Sequence, residues 1–129
     1  MGIEESDLLG SRPPGNRQEE RAAKRYPCSG KARIVTSSGA TVEGRMFDIS
    51  MTGASVLLDD RANFGPRCTI AITVYKGGTL HNIQATARFV HASLAGQSGF
   101  KHGFEFDSPD AAAVKSLAAL TNTPVASLI

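Results

Sequence analysis

The sequence predicts an all-β fold with one terminal helix: a six-stranded antiparallel β-barrel, preceded by a flexible N-terminal arm and followed by a C-terminal α-helix. Three observations predict it. From Lys31 to Phe106 the chain breaks into short runs of alternating apolar and polar residues, each bounded by turn residues. A helix start with its own apolar stripe comes only after that region, at Ser108. Ahead of it, Gly2, Gly10, Pro13, Pro14, Gly15 and Asn16 offer neither a periodic apolar face nor a buried anchor.

The elements follow in order. Residues 1–16 read as a tail, and the basic stretch 17–25, RQEERAAKR, suits either a helical turn or an extended arm. After the break at Pro27–Gly30, Lys31–Ser37 and Thr41–Ile49 alternate around Ser38-Gly39, the signature of a hairpin. Ala54–Leu58 is a short apolar strand ending at Asp59-Asp60. Cys68–Tyr75 puts Cys68, Ile70, Ile72 and Val74 on one face, and Lys76-Gly77-Gly78 turns the chain. Leu80–His91 places Ile83, Ala85, Ala87 and Phe89 together; after a turn at Gly96–Gly99, Phe100, His102, Phe104 and Phe106 share a face of the last strand. Short strands so evenly spaced favour closure into a barrel, which leaves no sheet edge exposed. For the helix, Ser108 is expected at the N-cap, Pro109 at the first helical position and Asp110 against the positive end of the dipole. Ala113, Leu117 and Leu120, with Val114 beside them, supply the stripe that packs on the barrel. The divisions are a tail at 1–19, the barrel with its basic arm at 20–107, and the helix and tail at 108–129.

Charge and cysteine usage exclude several functions. The net charge is only +2, but residues 17–45 carry seven bases (Arg17, Arg21, Lys24, Arg25, Lys31, Arg33, Arg45) against three acids (Glu19, Glu20, Glu43). One localised basic segment attracts a compact anion; it is weak for a DNA or RNA track, and neither is expected as a partner. Cys28 and Cys68 form no CxxC or Cys/His pattern, so two free thiols are expected, with no zinc and no cofactor. His81, His91 and His102 have no acid at a catalytic spacing, and no enzyme is expected. His102, among three Phe residues on its face, reads as a core histidine. No run approaches the ~18–20 apolar residues of a membrane span, and the N-terminus is acidic where a secretion signal is basic and then apolar. A cytoplasmic protein without membrane insertion is expected.

Two motifs remain. Arg21-Ala22-Ala23-Lys24-Arg25 is an Arg-x-x-x-Arg pair, overlapped by a second copy at Arg17–Arg21, and it lies just before the first strand. Asp48-Ile49-Ser50-Met51-Thr52-Gly53 has the form Asp-x-Ser-x-x-Gly and joins the second strand to the third. Alone, the first reads as a solvated basic turn and the second as a tight turn with a glycine at positive φ. In this order, together with Gly103-Phe104-Glu105-Phe106 in the last strand, they resemble the PilZ family over about residues 20–107. The resemblance implies a six-stranded barrel with a helix after it, and cyclic di-GMP as ligand.

It further implies a ligand site of Arg21, Arg25, Asp48, Ser50 and Gly53, with Arg17 and Lys24 as accessory charges. The chemistry agrees. An arginine fork clamps a phosphate or the O6/N7 edge of guanine. An ionised Asp48 accepts from the guanine N1–H and N2–H₂ donors, Ser50 donates or accepts beside it, and Gly53 keeps bulk away from the ring. Many family members carry a further Arg directly before the Arg pair; Glu20 stands there in this chain, which favours one ligand per site over a stacked pair. The resulting expectation is a non-enzymatic receptor that orders its N-terminal arm on binding and acts through an unidentified downstream protein. The alternatives are a PilZ-like interaction module that does not bind the nucleotide, and a small nucleic-acid-binding barrel.

Overall fold

The computed structural model describes residues 23–124. Its strands are β1 (Tyr26–Pro27), β2 (Gly30–Thr36), β3 (Thr41–Ile49), β4 (Gly53–Leu58), β5 (Cys68–Lys76), β6 (Thr79–Leu94) and β7 (Phe100–Asp107), followed by the helix α1 (Ala111–Leu120). All neighbours are antiparallel, in the order β3-β2-β5-β6-β7-β4, and β4 pairs back onto β3 to close a six-stranded barrel. β1 is an addition to the expected pattern: two residues that continue the line of β2 and pair with the end of β3, Tyr26 with Ile49 and Pro27 with Asp48. Among the described residues no helix is long and apolar enough to cross a membrane.

Alternation builds the core. Ala32 and Ile34 of β2, Met46 and Ile49 of β3, Ala54, Val56 and Leu58 of β4, and Ile70, Ile72 and Val74 of β5 point inward and are buried. Ile83 and Ala87 of β6 and Phe104 of β7 complete the ring, and Phe64 from the connecting loop packs against Phe89, His102 and Phe104 with ring centroids 5.5–6.0 Å apart. The aromatic face of the last strand is therefore core rather than a stacking platform for bases.

Two strands break their own alternation. Between Met46 and Asp48 the register against β4 shifts by one residue: Met46 faces Val56, and Asp48 already faces Ser55. Between Phe89 and His91 the register against β7 shifts likewise, Phe89 opposite Phe104 and His91 opposite Gly103. Each is a β-bulge in which one residue, Phe47 or Val90, is left without a cross-strand partner. Because directly opposed residues share a face, each bulge turns the next side chain outward where regular alternation would have sent it in.

α1 differs from expectation at its start. The N-cap is Asp110, whose carboxylate accepts the Ala113 N–H at 2.8 Å; Ser108 lies outside the helix at φ 51° and Pro109 precedes the cap. A residue before proline is disfavoured in the helical region, and Asp110 supplies a charged acceptor at the positive helix end. Ala113, Leu117 and Leu120 join the barrel core as the stripe predicted. Lys76 Nζ at the β5–β6 turn donates to the carbonyls of Ala119 and Leu120 and to Asn122 Oδ1 at 2.6–3.3 Å, fixing the helix C-terminus to the barrel.

His102 is fully buried, and its Nε2 accepts the Ala62 N–H at 3.0 Å while Nδ1 lies 3.2 Å from the Phe100 carbonyl. This fixes the neutral tautomer with the proton on Nδ1, because a proton on Nε2 would face a donor. Burial, with a smaller push from Arg61, lowers its pKa below the usual 6.5. The unfolded chain then binds the proton first as pH falls, so stability is lost from about pH 6.5 downward. The melting temperature is expected to fall between pH 7 and 5 more steeply for the unchanged protein than for His102→Gln; parallel pH slopes would contradict this account.

Candidate functional site

The two bulges aim side chains at one place on the barrel exterior. Asp48 of β3, Ser55 of β4, Gly103 of β7 and His91 of β6 are successive cross-strand partners, so they form one outward rung across four strands. Around it lies a surface cleft of about 350 Å³ lined chiefly by Arg25, Asp48, Ser50, Gly53, His91 and Lys101. Gly103 is the bare floor: the nearest atoms a methyl placed there would meet are those of the His91 side chain and carbonyl, at an ordinary contact distance of 3.7 Å.

At one end of the rung, Arg25 Nη1 donates to Asp48 Oδ1 at 2.8 Å and reaches within 3.5 Å of Ser55 Oγ. The Arg25 side chain is 46% exposed and Asp48 12%. With its arginine half in solvent, the pair contributes only about 1 kcal/mol or less to stability, so its consequence is positional. It holds the guanidinium over the cleft, and among the described residues no donor engages the second carboxylate oxygen of Asp48.

The Asp-x-Ser-x-x-Gly motif is the β3–β4 turn. Ser50 N–H donates to the Gly53 carbonyl at 2.8 Å, and Ser50 Oγ accepts the N–H groups of Thr52 and Gly53 at 3.2 and 3.1 Å. Ser50 is 1% exposed and its hydroxyl is engaged within the turn it shapes. Gly53 is not in the left-handed region, contrary to the tight-turn expectation. Its requirement is steric, since a Cβ would lie 2.2 Å from the Phe104 carbonyl oxygen, where β4 meets β7.

The other expected residues divide. Arg17 and Arg21, like Glu20, lie outside the described residues. Lys24 is exposed, with Nζ 5.5 Å from the Tyr26 ring centroid, and is not part of the cleft lining. Arg33 pairs with Glu43, as a surface residue does. Cys28 and Cys68 are free thiols, as expected. Burial, and then the charge of Asp48, push the Cys28 thiol up to about 11, so it stays protonated and unreactive. Ser55, His91 and Lys101 were not singled out from sequence. Their signal was present for His91: Phe89 and His91 stand two apart, one apolar and one polar, which is a break in phase. Among the described residues no cluster of His, Cys, Asp and Glu could hold a metal.

Comparison with known proteins bears on this geometry. The family model described as the PilZ domain matches residues 16–122. Among solved structures, the Bacillus subtilis inhibitor of motility (MotI/DgrA) superposes with a TM-score of 0.59 at 15% identity, over 75% of this chain and 46% of that one. The PilZ domain of CeSA from a cellulose-synthesizing bacterium gives 0.51 at 20% identity, over 74% and 93%. YcgR from Escherichia coli, solved in complex with c-di-GMP, gives 0.60 at 17% identity, over 75% and 42%. The chain thus spans less than half the length of the inhibitor of motility and of YcgR. No curated protein matches.

The two glycines of the cleft predict opposite responses to a methyl group. Gly53→Ala is expected to cost about 1–3 kcal/mol, because β4 and β7 must move apart. Gly103→Ala is expected to stay within about 0.5 kcal/mol. Chemical denaturation of both variants checks this; equal losses would contradict the steric reading of Gly53.

Proposed function

The chain belongs to the PilZ domain family, and on that footing we propose that it is a receptor domain for cyclic di-GMP, bound in the cleft on the Asp48–Ser55–Gly103–His91 rung. The observation that carries this reading is the Arg25–Asp48 pair at the mouth of that cleft. It joins the last arginine of the Arg-x-x-x-Arg motif to the first residue of the Asp-x-Ser-x-x-Gly motif, though 23 positions separate them. The YcgR structure, solved with c-di-GMP, supports the choice of ligand.

The roles follow from chemistry. Asp48 offers its second carboxylate oxygen to the N1–H and N2–H₂ donors of one guanine, a pattern adenine lacks. Arg25, already held by Asp48, meets a phosphate or the guanine O6/N7 edge. Arg21 supplies the second fork of the motif; Arg17 and Lys24 add charge, Lys24 from outside the cleft lining. Ser50 and Gly53 act through shape, one by building the turn and the other by letting β4 lie close against β7. His91 forms the far wall beside the bare Gly103 floor.

The finer reading is a switch. The N-terminal arm orders around Arg21 and Arg25 as ligand binds, and the resulting surface engages a downstream protein. In this reading the domain is regulatory rather than catalytic. With Glu20 before the Arg pair, one ligand per site is favoured. The pairing of motif residues in the cleft favours nucleotide binding over an interaction module without it.

Calorimetric titration is expected to give one cyclic di-GMP per chain, with much weaker binding of cyclic di-AMP, GTP and GMP. Arg21→Ala and Arg25→Ala are each expected to lose roughly tenfold to a hundredfold, the value of one charge-assisted hydrogen bond of about 1.5–3 kcal/mol, and Arg17→Ala less. Equal affinity for cyclic di-AMP would refute base recognition by Asp48. Backbone NMR relaxation is expected to show residues near Arg21 rigid only with ligand; an arm equally rigid in both states would refute the switch.

A further inference from the structure

The cleft holds a cation for which the receptor reading has no role. Lys101 sits on β7 two residues before Gly103, so it shares the outward face and lines the cleft. The carboxylates of the lining are already matched, Asp48 with Arg25 and Glu105 with Arg88. Among the described residues no carboxylate pairs with the Lys101 ammonium. Its Nζ instead rests 4.8 Å from the centroid of the Phe47 ring. Phe47 is the bulge residue of β3 and is 42% exposed.

We propose that Lys101 is a second phosphate-binding residue of the cleft, held in reserve on the face of Phe47 and drawn off it by the ligand. The proposal rests on the receptor reading above. Its grounds are position, competition and reach. Arg25 reaches the β3 side of the rung from the segment ahead of β1 and Lys101 rises from β7, so the two cations come to the Ser55–Gly103 floor from different elements. A ligand with two phosphates can then engage one at each. A cation over a solvent-exposed aromatic face is held more weakly than one paired with an anionic oxygen, so the ligand wins the competition. The four-carbon stem and freely rotating ammonium let Lys101 change partners with no movement of β7. A bound ligand then leaves the Phe47 ring uncovered beside the site.

The test is calorimetric titration of the full chain with cyclic di-GMP, paired with NMR of the aromatic ring protons. Lys101→Met, which keeps the stem and removes the charge, is expected to bind about tenfold more weakly. Lys31→Met, an exposed lysine of β2 outside this cleft, is expected to bind like the unchanged protein. Phe47→Leu, which removes the competing π face, is expected to bind up to about twofold more tightly. Phe47 ring signals are expected to shift on titration of the unchanged protein and much less in Lys101→Met. If the unchanged protein binds, Lys101→Met binds equally and the Phe47 signals do not move, this proposal is overturned and the receptor reading stands. If the unchanged protein does not bind, both fall.

Discussion

β3 and β6 each carry one residue more than the strand beside them can pair, and the candidate site depends on that mismatch. Without the Phe47 bulge, Asp48 would take the place of Ile49 opposite Ala54 and point into the core beside Met46 and Val56, where an unpaired carboxylate is costly to bury. Without the Val90 bulge, His91 would follow Phe89 inward. With both, a polar rung forms on the outer surface while the residues on either side of it keep the core intact. The bulges cost two sets of ladder hydrogen bonds and gain an outward-facing polar surface that a regular barrel of this sequence lacks.

Around that rung the supporting interactions are individually modest. The Arg25–Asp48 pair is open to solvent on its arginine side, and Ser50 spends its hydroxyl on the turn rather than on open space. Rigidity comes instead from backbone packing. Gly53 lets β4 run against the Phe104 carbonyl, Ser50 and Thr52 lock the turn to β4 and β7, and Phe104 is buried directly beneath. A small ligand site on rigid strands, met by an arginine arriving from outside the barrel, divides the labour: strands supply shape and the arm supplies charge.

Much of the fold was legible because strand alternation is a direct record of burial. Cys68, Ile70, Ile72 and Val74 could share only one face, and they do. The helix stripe was equally plain, whereas its first residue was not. Ser, Pro and Asp in succession offer more than one cap, and only backbone geometry chooses Asp110. The site was half legible. Asp48, Ser50 and Gly53 came from a motif, and the turn that engages the Ser50 hydroxyl is the one the same motif suggests when read alone. His91 stayed hidden because a period-two reading carries one phase along a strand and a bulge changes it, whereas Ser55 and Lys101 keep the phase of their strands and stayed hidden because alternation does not say which outward residues lie beside Asp48. Met46 and Asp48, an apolar and a charged residue two apart, were the visible trace of the first bulge.

The central claim is that one outward rung, exposed by two bulges, seats the ligand. Amide chemical-shift mapping during a cyclic di-GMP titration tests it most directly. The account predicts that the largest shifts fall on Arg25, Asp48, Ser55, His91 and Gly103, with the β2–β5 face little changed. Shifts centred on β2 and β5, or spread evenly over the barrel, would contradict it.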